Sequence, residues 1–357
     1  MTTPVAGTRA TLTSWHLIPL FAIVALVIPQ VTGGSYLFTW TAVAIWVLFA
    51  MGTNVVFGWT GLLSFGQVAF FGMGGYTVAV LNDRLPDLPG PVLLLAALLL
   101  ASAVAAVFAV GALRTSGPEF AVLTLVLAQV LWLLTYRVRA LRGDEGFTGL
   151  SGVPFGGDRV LRTDQELWYY TIVVVGIGCF LLWRLHRSTL GASMRAVRDD
   201  PWRAAALGYK VRRTQIIAFS VGGGLSAVAG GLMTHHQGVA SPDLLGFAIS
   251  GEVLVACLIG GLRIFWGPAM GAVVLVWSHD LFSGTEIDTG LFVGVLLLLI
   301  VLVLPTGLGG IPAAVRRRRR PAGPPKGLSA PPPGVPDDDA GSLARTPVNA
   351  LDVEDRR

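Results

Sequence analysis

Long apolar segments alternate with short polar ones along most of the chain. An α-helix needs about 20 apolar residues to cross the roughly 30 Å hydrocarbon layer of a membrane. The pattern therefore predicts an all-α polytopic membrane protein with about ten transmembrane or part-membrane helices. The predicted segments are 15–31, 37–57, 61–82, 91–113, 118–136, 168–186, 213–235, 244–262, 265–282 and 288–305.

Two of these segments differ from the others. Segments 61–82 and 244–262 are rich in glycine and polar residues. Irregular backbone is tolerated at membrane depth only where it is buried in protein or lines water. Each of the two could therefore be broken or re-entrant, and the sequence does not decide whether either crosses fully.

Composition agrees with this pattern and excludes an ordinary soluble enzyme. Of 357 residues, 53% are hydrophobic and 13% are charged, whereas a soluble domain carries about 25% charged residues. Cys179 and Cys257 both lie in apolar segments and give neither a disulfide framework nor a metal-site spacing.

Positive charge predicts the orientation of the helices. Residues 184–213 hold eight Lys and Arg but only two acids, and five arginines follow at 316–320. Ten spans place both regions in the cytoplasm, together with both termini. We expect a cytoplasmic segment over 1–14, a transmembrane domain over 15–312 with a cytoplasmic loop at 187–212, and a disordered basic tail over 313–357 that could contact membrane lipid.

The cytoplasmic loop contains a well-capped short helix. Aspartate is a good N-cap, proline fits the first helical position and glycine suits the position after the end. About seven helical residues span roughly 10 Å and are too few to be stable alone, so we expect flanking chain or a partner to hold this helix. Its residues are Asp200, Pro201, Trp202, Arg203, Ala204, Ala205, Leu207 and Gly208.

Polar side chains within the apolar segments are the candidate binding residues. Four lie in the glycine-rich stretch, where the chain either packs closely against other helices or lines a pathway for a polar solute: Thr60, Ser64, Gln67 and Tyr76. A fifth, Glu252, is costly inside a span. It could pair with Arg263, bind a substrate ammonium group, or serve as a hydrogen-bonded structural carboxyl.

Motifs of common enzymes are absent from the sequence. There is no G-x-x-x-x-G-K-[ST], so this chain has no ATP site of that type, and there is no H-E-x-x-H, G-x-S-x-G or C-x-x-C. No catalytic residue, metal site or bound cofactor is predicted, and the basic tail lacks the interleaved aromatics of a nucleic-acid site.

Four segments resemble the permeases of LivM-type branched-chain amino-acid importers, which are ATP-binding cassette (ABC) transporters. They occur in the family's order and, together with the short cytoplasmic helix, identify the chain as a member. The segments are Gly58–Thr77, Gly117–Leu125, Thr148–Pro154 and Gly260–Ala272.

The resemblance implies a bacterial inner-membrane permease subunit that carries leucine, isoleucine and valine inward. It also implies a second homologous permease, two cytoplasmic ABC ATPases that bind ATP and Mg, and an extracytoplasmic substrate-binding protein. Residues 200–208 would form the helix that couples the ATPases to the spans.

The sequence departs from the family pattern at Gln67, where histidine is frequent, at Arg263, where a small residue is common, and at Arg203 and Ala205 in the coupling helix. Two alternatives stay open at this point. One is a permease of the same family for urea, short amides or another small hydrophilic solute. The other is a stand-alone secondary transporter.

Overall fold

The computed structural model describes residues 34–282 except 116, 151 and 156–159, together with Pro29. Within these ranges the protein is helical, as predicted. The helices are α1 Gly34–Thr60, α2 Gln67–Arg84, α3 Gly90–Ala112, α4 Pro118–Arg137, α5 Asp164–Arg187, α6 Thr189–Asp199, α7 Pro201–Ala206, α8 Val211–Gln237, α9 Phe247–Gly260 and α10 Gly267–Phe282. The predicted segments 1–14, 15–31, 288–305 and 313–357 lie outside the described residues, apart from Pro29.

Five of the helices are long and apolar enough to cross a membrane: α1, α3, α4, α5 and α8. Their bounds lie within a few residues of the predicted segments. Proline opens α3 and α4, where its missing N–H costs no helical hydrogen bond. A capping box formed by Thr163 and Glu166 begins α5.

Helix α8 lies at the centre of the bundle and packs against α1, α2 and α3. Close approach is possible because glycines face neighbouring backbone: a β-carbon at Gly74 of α2 would collide with the Ala227 carbonyl of α8. Helices α9 and α10 pack against each other and against α1, and α5 also packs against α1. By contrast, α3 and α4 expose valine and leucine along whole faces, as spans in contact with lipid do.

Short strands lie at one end of the bundle, which we call the strand end. Phe147–Thr148 (β1) pairs with Val239–Ala240 (β4), and Val153–Pro154 (β2) pairs with Val160–Leu161 (β3), both antiparallel. Helices α6 and α7 lie at the opposite end, which we call the loop-helix end.

The two glycine-rich segments are the ones that the structure interrupts. Helix α2 begins at Gln67, so residues 61–66 of the predicted segment 61–82 are not helical. The predicted segment 244–262 begins within a 3-10 turn, Pro242–Leu245, and its helical part is the 14-residue helix α9. A helix of that length spans about 21 Å, which is shorter than the hydrocarbon layer.

Candidate functional site

Helix α7 and the three residues that follow it present apolar side chains to solvent at the loop-helix end. Trp202 is 88% exposed, Leu207 is 73% exposed and Tyr209 is 42% exposed, whereas Ala204 is buried against the protein. Because α7 connects spans α5 and α8 through polar chain, these exposed side chains lie outside the membrane-spanning helices. Exposed aromatic and aliphatic groups at such a place are typical of a protein-docking surface.

The ends of α7 match the sequence prediction to within one residue. The Asp200 carboxylate accepts a hydrogen bond from the Arg203 backbone N–H at 2.9 Å, and Pro201 occupies the first helical position. Gly208 follows the helix at φ +86°, a conformation that disfavours other residues. Arg203 also lies 3.6 Å from Asp200 in an exposed ion pair, which contributes little to stability.

Helix α6 fixes α7 to the bundle, and the sequence analysis did not identify it as a separate helix. Met194 and Val197 are fully buried, and Ser188 caps the helix by accepting from Gly191 N–H. Arg195 donates to the His186 carbonyl of α5 at 2.8 Å. Burial lowers the pKa of Arg195, and the nearby charge of Arg198 lowers it further.

The non-helical segment 61–66 is held by hydrogen bonds from other helices. Phe65 N–H donates to the Thr124 hydroxyl of α4 at 3.1 Å, and the Ser250 hydroxyl of α9 donates to the Phe65 carbonyl at 2.7 Å. The Ser64 hydroxyl accepts from Gly66 N–H at 3.2 Å. The break is therefore a stable part of the fold, because backbone groups that are not paired within a helix form hydrogen bonds elsewhere in the protein.

Gln67 lies directly after the break, in the centre of the bundle. Its side chain is 1% exposed, and its Oε1 accepts a hydrogen bond from the Ser226 hydroxyl of α8 at 3.2 Å. Thr60 donates to the Val56 carbonyl of its own helix. Thr60, Ser64 and Gln67 thus cluster around the break, although the first two also satisfy local backbone, as close-packed hydroxyls do.

Tyr76 is not part of this cluster. It lies nine residues along α2 from Gln67, about 13 Å, and its ring packs edge-on against Phe147 of β1 at 6.3 Å. Of the four polar residues in the glycine-rich stretch, three therefore lie together and Tyr76 lies at the strand end.

Glu252 has a different partner from the ones considered in the sequence analysis. Its Oε1 lies 3.8 Å from His279 Nε2 of α10, and both side chains are partly exposed. Arg263 lies instead at the loop-helix end. It lines a cavity of about 280 Å³ together with Gly58, Arg198 and Leu262. Glu252 therefore lies in the first half of α9, whereas Arg263 lies three residues beyond the end of that helix.

Two hydrogen bonds in the site join residues that are far apart in the sequence, and no local sequence pattern predicts them. Ser226 meets Gln67 from 159 residues away, and Arg198 meets Gly58 from 140 residues away. The serine is followed by further small residues of α8, which predict close packing but not a particular partner. The arginine was visible only as one of many basic residues in its loop.

Comparison with known proteins identifies relatives of the chain. Residues 35–304 match the family model described as the permease component of the branched-chain amino acid transport system. The high-affinity branched-chain amino acid transport system permease protein LivM of Escherichia coli (strain K12) is 28% identical over 293 residues, which cover 75% of this chain and 68% of LivM. LivM of Salmonella typhimurium is 29% identical over 295 residues, with the same coverage of each chain.

Weaker relatives include other permeases. The probable branched-chain amino acid transport permease protein LivH of Methanocaldococcus jannaschii is 29% identical over 153 residues, covering 40% of this chain and 47% of LivH. The autoinducer 2 import system permease protein LsrC of Escherichia coli O9:H4 is 28% identical over 169 residues, covering 44% of this chain and 46% of LsrC. No solved structure gives a significant match.

Proposed function

The chain belongs to the family of permease components of branched-chain amino acid transport systems, and we propose that it is the membrane-spanning permease subunit of an ATP-driven importer for leucine, isoleucine and valine. The observation that carries this proposal is the match over residues 35–304 to that family, joined to two LivM relatives along three quarters of the chain. The protein is a multi-pass inner-membrane protein.

We further propose that the loop-helix end faces the cytoplasm and that α7 docks on ATPase subunits. Basic residues cluster at that end, as the orientation rule requires for cytoplasmic loops. The exposed Trp202, Leu207 and Tyr209 supply the apolar contact that a docking helix needs. Both chain termini would then be cytoplasmic.

The proposed assembly contains four further chains. A second, homologous permease would pair with this one, since relatives of the chain include both LivM and LivH. Two ATPases would bind ATP and Mg, because permeases of this family lack an ATPase site of their own. A substrate-binding protein would deliver cargo to the strand end.

In this proposal the break at 61–66 and the polar groups around it belong to the translocation pathway. Gln67 offers an amide to a passing zwitterion, and Ser64 and Thr60 flank it. Tyr76 and Glu252 would contact substrate nearer the strand end, where Glu252 can meet an ammonium group. A change in the position of α7 would move the ends of α5 and α8 and so switch the exposure of this pathway.

Uptake by a strain that lacks this gene tests the proposal. We expect uptake of labelled leucine to fall on deletion and to return when the gene is restored, while uptake of labelled urea stays unchanged. A restored gene with Gln67→Leu keeps the side-chain size but removes the amide, so we expect normal protein amount and slower leucine uptake. Loss of urea uptake alone would reassign the cargo, and loss of neither would withdraw the substrate claim.

A further inference from the structure

Arg198 crosses from the cytoplasmic loop to the first described span. It is the second-last residue of α6 and stands three residues before the first residue of α7. Its Nη1 donates a hydrogen bond to the Gly58 carbonyl of α1 at 2.5 Å. The side chain is only 17% exposed although it carries a guanidinium group, so the contact is largely shielded from water.

The guanidinium group is held in a fixed orientation. Asp199 Oδ1 accepts from Arg198 Nη2 at 3.1 Å and from Nε at 3.3 Å. The methylene stem of Arg198 packs on Gly61, where a β-carbon would lie 3.1 Å from its Cγ. Gly61 has φ +74° and begins the non-helical segment. One side chain therefore touches both the end of α1 and the start of the break.

The Gly58 carbonyl is a favourable acceptor for a cation. Carbonyls in the last turn of a helix lack intrahelical partners and carry the negative end of the helix dipole. In the direction of a β-carbon Gly58 has no free space, because a β-carbon there would contact the Asn54 side chain and the Leu262 carbonyl. The end of α1 is therefore packed closely against residue 262 at this point.

From the break, hydrogen bonds lead to the candidate pathway. Segment 61–66 is hydrogen-bonded to Thr124 of α4 and to Ser250 of α9, and Gln67 follows it directly.

A second arginine of the same loop makes a similar contact at another place: Arg212 donates a hydrogen bond to the Val110 carbonyl near the end of α3. That contact does not involve the break, so Arg212 is a chemically matched comparison.

We propose that Arg198 is a positioning residue that transfers displacement of α7 to the end of α1 and to the break at 61–66. The inference rests on the proposed function, because it assumes that nucleotide on the ATPase subunits moves α7. Arg198 acts through the Gly58 carbonyl and Gly61 and does not itself touch substrate. Its removal would leave α7 docked but would disconnect it from the break.

Amide hydrogen exchange over residues 58–66 tests this role without using transport. The full complex with its partner subunits is placed in lipid nanodiscs, and exchange is followed by mass spectrometry with and without a non-hydrolysable ATP analogue. We expect the analogue to change exchange at 58–66 in the wild-type complex. In Arg198→Ala we expect that response to shrink about threefold or more, while Arg212→Ala keeps it.

The Arg198→Lys variant distinguishes loss of the hydrogen bonds of Arg198 from a general loss of folding. Lysine keeps the charge and the stem on Gly61 but cannot bond Gly58 and Asp199 at once through a planar fork. We expect an intermediate response, with thermal stability of the complex close to wild type. An undiminished response in Arg198→Ala, an equal loss in Arg212→Ala, or no response in the wild-type complex would each overturn the inference.

Leucine uptake by the same complexes reconstituted into proteoliposomes separates this inference from the proposed function. A wild-type complex that responds to nucleotide at 58–66 but carries no leucine would overturn the cargo and leave the role of Arg198 standing. A complex that carries leucine with ATP, and whose exchange response is unchanged in Arg198→Ala, would overturn the role of Arg198 alone.

Discussion

Single glycines determine how closely α2 and α8 approach each other. A β-carbon at Gly230 of α8 would collide with the Phe71 carbonyl of α2. A β-carbon at Gly74 of α2 would likewise collide with the Ala227 carbonyl of α8. These contacts are with backbone, which cannot rotate away as a side chain can. Glycine in a helix interior costs about 0.5–1 kcal/mol relative to alanine, and here the cost is offset by close packing.

Gly230→Ala should therefore destabilise the bundle, whereas Gly111→Ala should not. Gly111 lies in α3 with open space where its β-carbon would be. Overpacking costs about 1–3 kcal/mol, so we expect a lower midpoint in thermal unfolding of detergent-purified Gly230→Ala, followed by size-exclusion chromatography. Equal midpoints for the two variants would contradict the close approach of α2 and α8.

For single residues, the sequence predicts the role of a residue in packing better than it predicts which distant residue that residue contacts. Close helix packing was one of two interpretations of the glycine-rich segment 58–77, and the burial of its residues in α2 agrees with it. The partners of Gln67 and Glu252 were not predictable, because Ser226 and His279 come from other helices. A local pattern carries no information on which distant helix faces it. The assignment of these residues to a pathway stays a prediction.

Among the elements, α7 was predictable because its caps are local. An Asp-Pro pair at one end and a glycine at the other fix its bounds through hydrogen bonds within a few residues. Helix α6 was missed because it follows α5 with a single intervening residue and lies within the basic loop 187–212. The glycine and polar content of segments 61–82 and 244–262 left open whether either is broken, and the structure shows α-helix only from Gln67 in the first and from Phe247 in the second.

Trp202→Asp tests whether α7 is a docking helix. The side chain is 88% exposed, so the substitution should leave insertion and folding intact. Loss of a central interface aromatic costs about 2 kcal/mol or more, and we expect leucine uptake to fall at least about tenfold while the ATPases continue to hydrolyse ATP. Trp202→Phe, which keeps an apolar ring, should retain most uptake.

Both activities are measured on the same proteoliposomes, with Gly208→Pro as a second way to disturb α7. Proline fixes φ near −65°, whereas Gly208 has φ +86°, so the helix could not end as it does. Normal uptake by a well-expressed Trp202→Asp variant would contradict the docking role.

For the whole molecule, the number and order of apolar segments predicted the fold class. The four segments that resemble LivM-type permeases predicted the family. The match over residues 35–304 confirms the family. Packing order was not predictable, since the central position of α8 arises from contacts with α1, α2 and α3 that no single segment encodes. The domain bounds and the orientation of the termini stay predictions.

Transport by the reconstituted complex is the most direct test of the central claim. The permease, its partner permease and the ATPases are placed in proteoliposomes with ATP inside, and the binding protein and labelled leucine are added outside. We predict that leucine accumulates only when ATP is trapped inside, and that accumulation survives collapse of the proton gradient. Accumulation that needs a proton gradient and no ATP would contradict the claim and favour a secondary transporter.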